Sequence, residues 1–140
     1  MYQIVYTSSA SRAFSASDLG NMLRCAQRRN RDIGVTGMLV FHDATFLQAL
    51  EGENRAVNEI FARINDDQRH RDLIVLHRGQ GPEQRVFGEW PMGFADFEGA
   101  AGILRAFVRF NEQLELKALN GSRAVELLIA CGADDTLRSA

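Results

Sequence analysis

Thr45-Phe46-Leu47-Gln48-Ala49-Leu50-Glu51 is an apolar, strand-like run with a carboxamide at its centre. Side chains alternate between the two faces of a strand, so Gln48 points the same way as Phe46 and Leu50. That face is apolar and aimed at an interior. A buried amide without a partner costs on the order of 1–3 kcal/mol, so Gln48 requires a partner or a task. The run is preceded by a second apolar strand over residues 35–41. The hairpin-length connection His42-Asp43-Ala44-Thr45 makes the two antiparallel neighbours.

Upstream, residues 1–7 read as a strand with Tyr2, Ile4 and Tyr6 on one face, and the small residues 8–11 as a turn. Ser15-Ala16-Ser17-Asp18 matches a capping box. It opens a helix whose stripe of Leu19, Met22, Leu23 and Ala26 runs on to Asn30 before Gly34 ends it. Downstream, Val57, Ile60, Phe61 and Ile64 mark a second helix, with Asp67 on the continuation of its stripe. Residues 72–78 predict a fourth strand, followed by the turn Gly79-Gln80-Gly81-Pro82. Residues 85–94 predict a fifth, with Trp90, Met92 and Phe94 on one face. Pro91 demands an end, a bulge or an edge there, since proline cannot donate to a ladder.

The order β-α-β-β-α-β predicts an α+β, ferredoxin-like fold with one extra strand: a five-stranded mixed sheet with two helices on one face. After Asp96 the texture turns helical. Ile103, Phe107, Phe110 and Leu114 recur at 4/3/4 spacing, and a last helix follows Asn120-Gly121-Ser122 over residues 124–130. Residues 1–96 are thus expected to form the domain. Residues 97–140 are expected to be a C-terminal helical pair rather than an independent domain. The pair would pack on the sheet face that the first two helices leave uncovered, or on a partner.

Bulk properties exclude several classes. The 140 residues are one domain's worth, 46% hydrophobic and 24% charged. Sixteen Lys+Arg against 18 Asp+Glu give a net charge of -2, which carries no electrostatic footprint for nucleic acid or an anionic membrane. No apolar run approaches the ~20 residues of a membrane span, and the N-terminus lacks a signal-peptide pattern. A cytoplasmic protein is expected, with Cys25 and Cys131 as reduced thiols outside any CxxC spacing. His42, His70 and His77 show no metal-ligand spacing, so no metal is expected. Gly79-x-Gly81 is no dinucleotide fingerprint, and neither a phosphate loop nor a nucleophile elbow occurs. Arg28-Arg29-Asn30-Arg31 and Arg69-His70-Arg71 read as solvated helix ends favoured by cation–dipole attraction. They also suit flanks for an anionic ligand such as a diphosphate, and the two readings are compatible.

Three polar side chains remain on apolar faces: Tyr6, Asn30 and Gln48. Each alone has a structural explanation, as a half-buried strand tyrosine, a helix stop and a backbone-bonded amide. Together they point further. Strands one and three are central neighbours in a ferredoxin-like sheet, so Tyr6 and Gln48 can be adjacent and face the cleft toward which Asn30 also points. A phenol and two carboxamides on such faces suit a polar ring system.

At these residues the chain resembles the BLUF domain, the blue-light sensor that uses a flavin. The resemblance rests on Tyr6, Asn30-x-x-x-Gly34-Val35-Thr36-Gly37-Met38-Leu39, Phe46-Leu47-Gln48-Ala49-Leu50-Glu51-Gly52, Asp67-x-Arg69-His70 and Trp90-Pro91-Met92. Arg29 stands where such domains often have Asn or His. The resemblance implies a non-covalently bound FAD between the two helices, with FMN or riboflavin as alternative flavins, its ring edge-on to Tyr6 and Gln48. Asn30 would complement the pyrimidine edge with one donor and one acceptor. Met22, Leu23, Ile33 and Ile64 would supply apolar walls; Asp67, Arg69 and His70 would close the far side, and arginines, Arg29 among them, would meet the phosphates. By the same resemblance Tyr6 is the photochemical electron and proton donor. Gln48 is the relay whose rearrangement changes the hydrogen bond at the flavin C4 carbonyl, and Trp90 and Met92 are the output residues. The chain would then be a switch and not an enzyme, signalling to an unidentified downstream protein, with a homodimer as a further option. The readings set against it are a small light-insensitive flavoprotein reductase and a cofactor-free ferredoxin-like interaction module.

Overall fold

The structure is a computed structural model and describes residues 1–42, 44–88, 91–95 and 120–133. The elements run β1 (Tyr2–Ala10), α1 (Ala16–Asp32), β2 (Thr36–His42), β3 (Thr45–Gly52), α2 (Asn54–Asn65), β4 (His70–Gln80), β5 (Gly93–Ala95) and α3 (Gly121–Ala133). The strands form one sheet in the order β4-β1-β3-β2-β5. The first four strands pair antiparallel, and β5 lies parallel to β2 with Met38 opposite Gly93. The α+β, ferredoxin-like arrangement read from the sequence is the one observed.

The capping box opens α1 as expected. The Ser15 hydroxyl accepts from the Asp18 N–H at 3.0 Å, and the Asp18 carboxylate accepts from the Ser15 N–H at 3.1 Å. After Asp32 the chain reverses through Gly34 at φ +72°, a left-handed conformation that favours glycine. Gly37 then lets β2 close on β3, because a Cβ there would run into the carbonyl oxygen of Ala49.

Alternation along the strands divides the interior in two. Ile4, Tyr6, Leu39, Phe46 and Leu50 face α1 and α2, where they pack with Leu23, Val57, Ile60 and Phe61. On the opposite face Val5, Met38, Val40, Leu47 and Ala49 pack with Phe87 and with Ala124, Leu127 and Leu128 of α3. The strip of α3 that the sequence marks as apolar therefore covers the second face of the sheet. The expected helix around Phe107 and Phe110 lies outside the described residues, as does Trp90. Among the described residues no helix is long and apolar enough to cross a membrane.

Two local expectations are corrected. Residues 8–10 are not a turn: Ser8 pairs with Phe46, and Ser9 pairs with Thr45 on one side and Arg71 on the other. Pairing on both sides of a central strand outweighs the turn preference of serine. Nor is there a strand over residues 85–88 or at 91–92. The N–H groups of Val86 and Phe87 are taken by the Glu51 carboxylate, and Pro91 has none, so among the described residues of this stretch ladder pairing begins at Gly93. The register of β1 is unbroken against β3 but shifts twice against β4, between Val5 and Tyr6 and again between Thr7 and Ser9.

Candidate functional site

Adjacent central strands bring Tyr6 and Gln48 together, since the two residues are directly opposed in the β1–β3 register. Tyr6 is fully buried and Gln48 nearly so. The Tyr6 hydroxyl donates to Gln48 Oε1, and Gln48 Nε2 lies 3.4 Å from the sulfur of Met92. The phenol ring also meets Phe61 edge-on, with centroids 5.5 Å apart. Burial pushes the Tyr6 hydroxyl far above its ordinary pKa, with Arg29 opposing weakly, so the phenol stays protonated. The amide that looked misplaced on an apolar face thus has a donor on one atom and a soft acceptor on the other.

Gln48 also opens onto a groove between α1 and α2. Its walls include Met22, Leu23 and Ala26 from α1, Leu39 from β2 and Ile64 from α2. At its mouth stand Arg29, Asp67, Arg69 and His70. Asp67 follows α2 directly, its N–H bonding to the Ile64 carbonyl, and its carboxylate accepts from Arg69 Nε and Nη2 at 3.0 and 2.5 Å. That pairing holds the Asp67 carboxyl below its usual pKa and the Arg69 guanidinium above its own. His70 is held by Ser8 Oγ at 2.8 Å from Nδ1 and rests against Phe46. Burial lowers its pKa, which keeps the imidazole neutral.

Of the residues expected at the site, Tyr6 joins the groove through Gln48, while Met22, Leu23, Arg29, Ile64, Asp67, Arg69 and His70 line it. Ile33 does not. It caps α1 and is 37% exposed, because the chain turns away at Gly34. Asn30 is completely buried, but its amide nitrogen donates to the Pro91 carbonyl at 2.7 Å and its oxygen accepts from Arg29 Nε at 3.3 Å. It stands beside the groove, bound to the chain entering β5. Met92 is buried against Gln48, and Trp90 lies outside the described residues. Arg28 and Arg31 are exposed, and Arg71 reaches only its neighbour Asp72, at 4.0 Å. Sequence reasoning did not single out Gln27, whose Nε2 donates to the Met92 carbonyl at 3.0 Å. Its place three residues before Asn30 on the α1 stripe was the available signal.

The lining of the groove is chemically suited to a planar heterocycle with an anionic tail. Its floor carries one amide with a donor and an acceptor, and its walls are apolar. Its mouth holds Arg29, whose guanidinium pairs with no carboxylate among the described residues and whose pKa is lowered mainly by burial. A half-buried cation with no carboxylate in salt-bridge contact among the described residues is a ready partner for a phosphate. A wider depression between the end of β4 and α3, lined by Gln3, Leu76, His77 and Val125, contains none of the expected residues. Among the described residues no cluster of His, Cys, Asp and Glu could hold a metal ion.

Comparison with known proteins follows the same lines. Residues 1–93 match the family described as sensors of blue light using FAD. The beta subunit of a photoactivated adenylate cyclase of Euglena longa is 34% identical over 95 residues, which are 68% of this chain and 11% of that protein. The chain thus spans about a tenth of the length of the cyclase subunits it matches. A bacterial light-regulated adenylyl cyclase of known structure is 27% identical with a TM-score of 0.67, over 69% of this chain and 28% of that one. The photo-activated state of BlsA superimposes with a TM-score of 0.85 at 24% identity, over 99% of this chain and 98% of that one.

Proposed function

The chain belongs to the family of blue-light sensors that use FAD, and on that premise we propose that it is a light switch whose moving part is Gln48. The observation that carries this reading is the buried Tyr6–Gln48 hydrogen bond at the floor of the groove. When bound, FAD supplies blue-light absorption and an excited state able to oxidise a nearby phenol. Tyr6 is placed to give up the electron. Its hydroxyl then becomes strongly acidic, and the proton has one acceptor at hand, Gln48 Oε1. When the electron returns to Tyr6 a proton returns with it: loss from the Gln48 nitrogen leaves the imidic tautomer, and loss from the oxygen after a half-turn leaves the amide reversed. Either change reverses which atom donates and which accepts. Gln48 Nε2 then releases the Met92 sulfur, and the change leaves the groove through the start of β5.

Met22, Leu23, Leu39 and Ile64 exclude water from this exchange, so the proton is not lost to solvent. Arg29 and Arg69 hold the anionic tail at the mouth. Asn30 holds the chain at Pro91, and its amide would complement the ring edge. No atom leaves the protein in this cycle, so the chain acts as a sensor rather than a catalyst. Its output passes to another protein, with Met92 and Trp90 as the residues that report Gln48.

Protein loaded with FAD should be yellow, shift its absorption band to the red under blue light and return in darkness. A band that does not move, at full flavin occupancy, would overturn the reading.

A further inference from the structure

Glu51 lies three residues beyond Gln48 on β3 and points to the other face of the sheet. It is 1% exposed. Its Oε1 accepts from the Thr36 hydroxyl at 2.9 Å and from the Phe87 N–H at 2.8 Å, and its Oε2 accepts from the Val86 N–H at 2.9 Å. Thr36 in turn accepts from Arg85 Nη1 at 2.8 Å, while Arg85 Nη2 donates to the Gly34 carbonyl at 2.8 Å. This clamp catches the connection from β4 to β5 as it crosses the end of the sheet, where β3 stops and β2 starts.

The same connection is held again at its far end. Asn30 donates to the Pro91 carbonyl and Gln27 to the Met92 carbonyl, both from α1. These are single bonds between neutral groups, whereas the bonds at Glu51 are charge-assisted and roughly twice as strong. Phe87 and Pro91 are four residues apart, a reach of at most ~14 Å when extended. The stiff end of this short strap is therefore the carboxylate, and the soft end carries Met92 to Gln48.

We propose that Glu51 is a positioning residue of the Gln48 switch: by fixing Val86 and Phe87 it limits where the chain can set Met92 and so keeps the Met92 sulfur on Gln48 Nε2. This rests on the light-sensing reading for its consequence, but the geometry of Met92 can be read in darkness without it. The full chain is loaded with FAD and labelled with 13C-methyl methionine, and Met92→Leu assigns the Met92 resonance.

In Glu51→Gln an NH2 group meets the Val86 N–H where an acceptor stood. The Met92 methyl should move from its wild-type dark position, and the lifetime of the lit state should change by about tenfold, the scale of one lost charge-assisted bond. In a Met92→Leu background Glu51→Gln should change the lifetime no further. Should Glu51→Gln not fold, Thr36→Val and Arg85→Met loosen the same clamp and give the same two readouts. An unmoved Met92 methyl, or lifetime effects of Glu51→Gln and Met92→Leu that add in full, overturns the proposal. A wild-type protein that ignores light overturns the sensor reading instead, and the dark methyl position still decides the role of Glu51.

Discussion

Gln48 and Glu51 are both polar, both buried and three residues apart on one strand, yet their surroundings differ in kind. Glu51 accepts from two backbone N–H groups and a hydroxyl, donors that have no other place to go. Gln48 is held by a phenol, which can donate or accept, and by a thioether, a weak acceptor lost at little cost. One side of β3 carries an anchor and the other the part that turns in the proposed switch. Burial alone therefore says little about whether a polar group is structural. What decides is how much its partners lose when it turns away.

The largest effect expected from breaking this contrast is loss of the light response. Gln48→Leu keeps the approximate volume and removes the amide, and Tyr6→Phe removes the transferable proton. Each should bind FAD and show no reversible red shift, while urea melts lose only about 1–3 kcal/mol, the cost of the one neutral polar group left unpaired. A normal shift in either variant would end the relay mechanism.

Glu51→Ala should do the reverse. It leaves two backbone donors and the Thr36 hydroxyl unpaired, and stability should fall by about 3 kcal/mol or more in the same melts. A loss below about 1 kcal/mol would remove Glu51 from the role of anchor.

A smaller effect comes from His70, which packs on the Gln48 side against Phe46. Its folded pKa is lowered by burial, so the unfolded chain takes up the proton first as pH falls. The contribution is complete above the unfolded value near 6.5 and declines as the pH drops toward the folded one. His70→Gln should flatten that decline in melts between about pH 7 and 5, and an unchanged slope would count against it. The smallest effect is expected at Trp90, whose indole is another readily oxidised ring of the chain and so sets a rival to Tyr6 as electron donor. Trp90→Phe should leave the red shift in place and alter only its yield or lifetime, and its loss would move the donor away from Tyr6.

How much of this was legible beforehand follows from how local each signal is. The alternation around Gln48, the capping box at Ser15 and the stripes of α1 and α2 are set by neighbours within a few residues, and all were readable. The end of β1 was not, because Ser8, Ser9 and Ala10 read locally as a turn while strands on both sides keep them paired. The strap from β4 to β5 failed for the same reason. Its N–H groups find a carboxylate some 35 residues away in sequence, and no periodicity records such a bond. At the site, Tyr6 and Gln48 followed from strand order. The bond from Asn30 to Pro91 and the part played by Gln27 did not, since both depend on where a loop meets a helix.

The uneven pairing of β1 has a consequence for how the sheet opens. Against β3 it forms an unbroken ladder of eight opposed pairs, from Tyr2 and Gly52 to Ser9 and Thr45, whereas against β4 the register slips on either side of Tyr6. In hydrogen-exchange terms β1 belongs with β3, and amides along β4 can open piecemeal at lower free energy. The phenol thus sits on a seam between a block that unfolds as one and an edge that frays. Breathing at that edge leaves Tyr6 and Gln48 aligned.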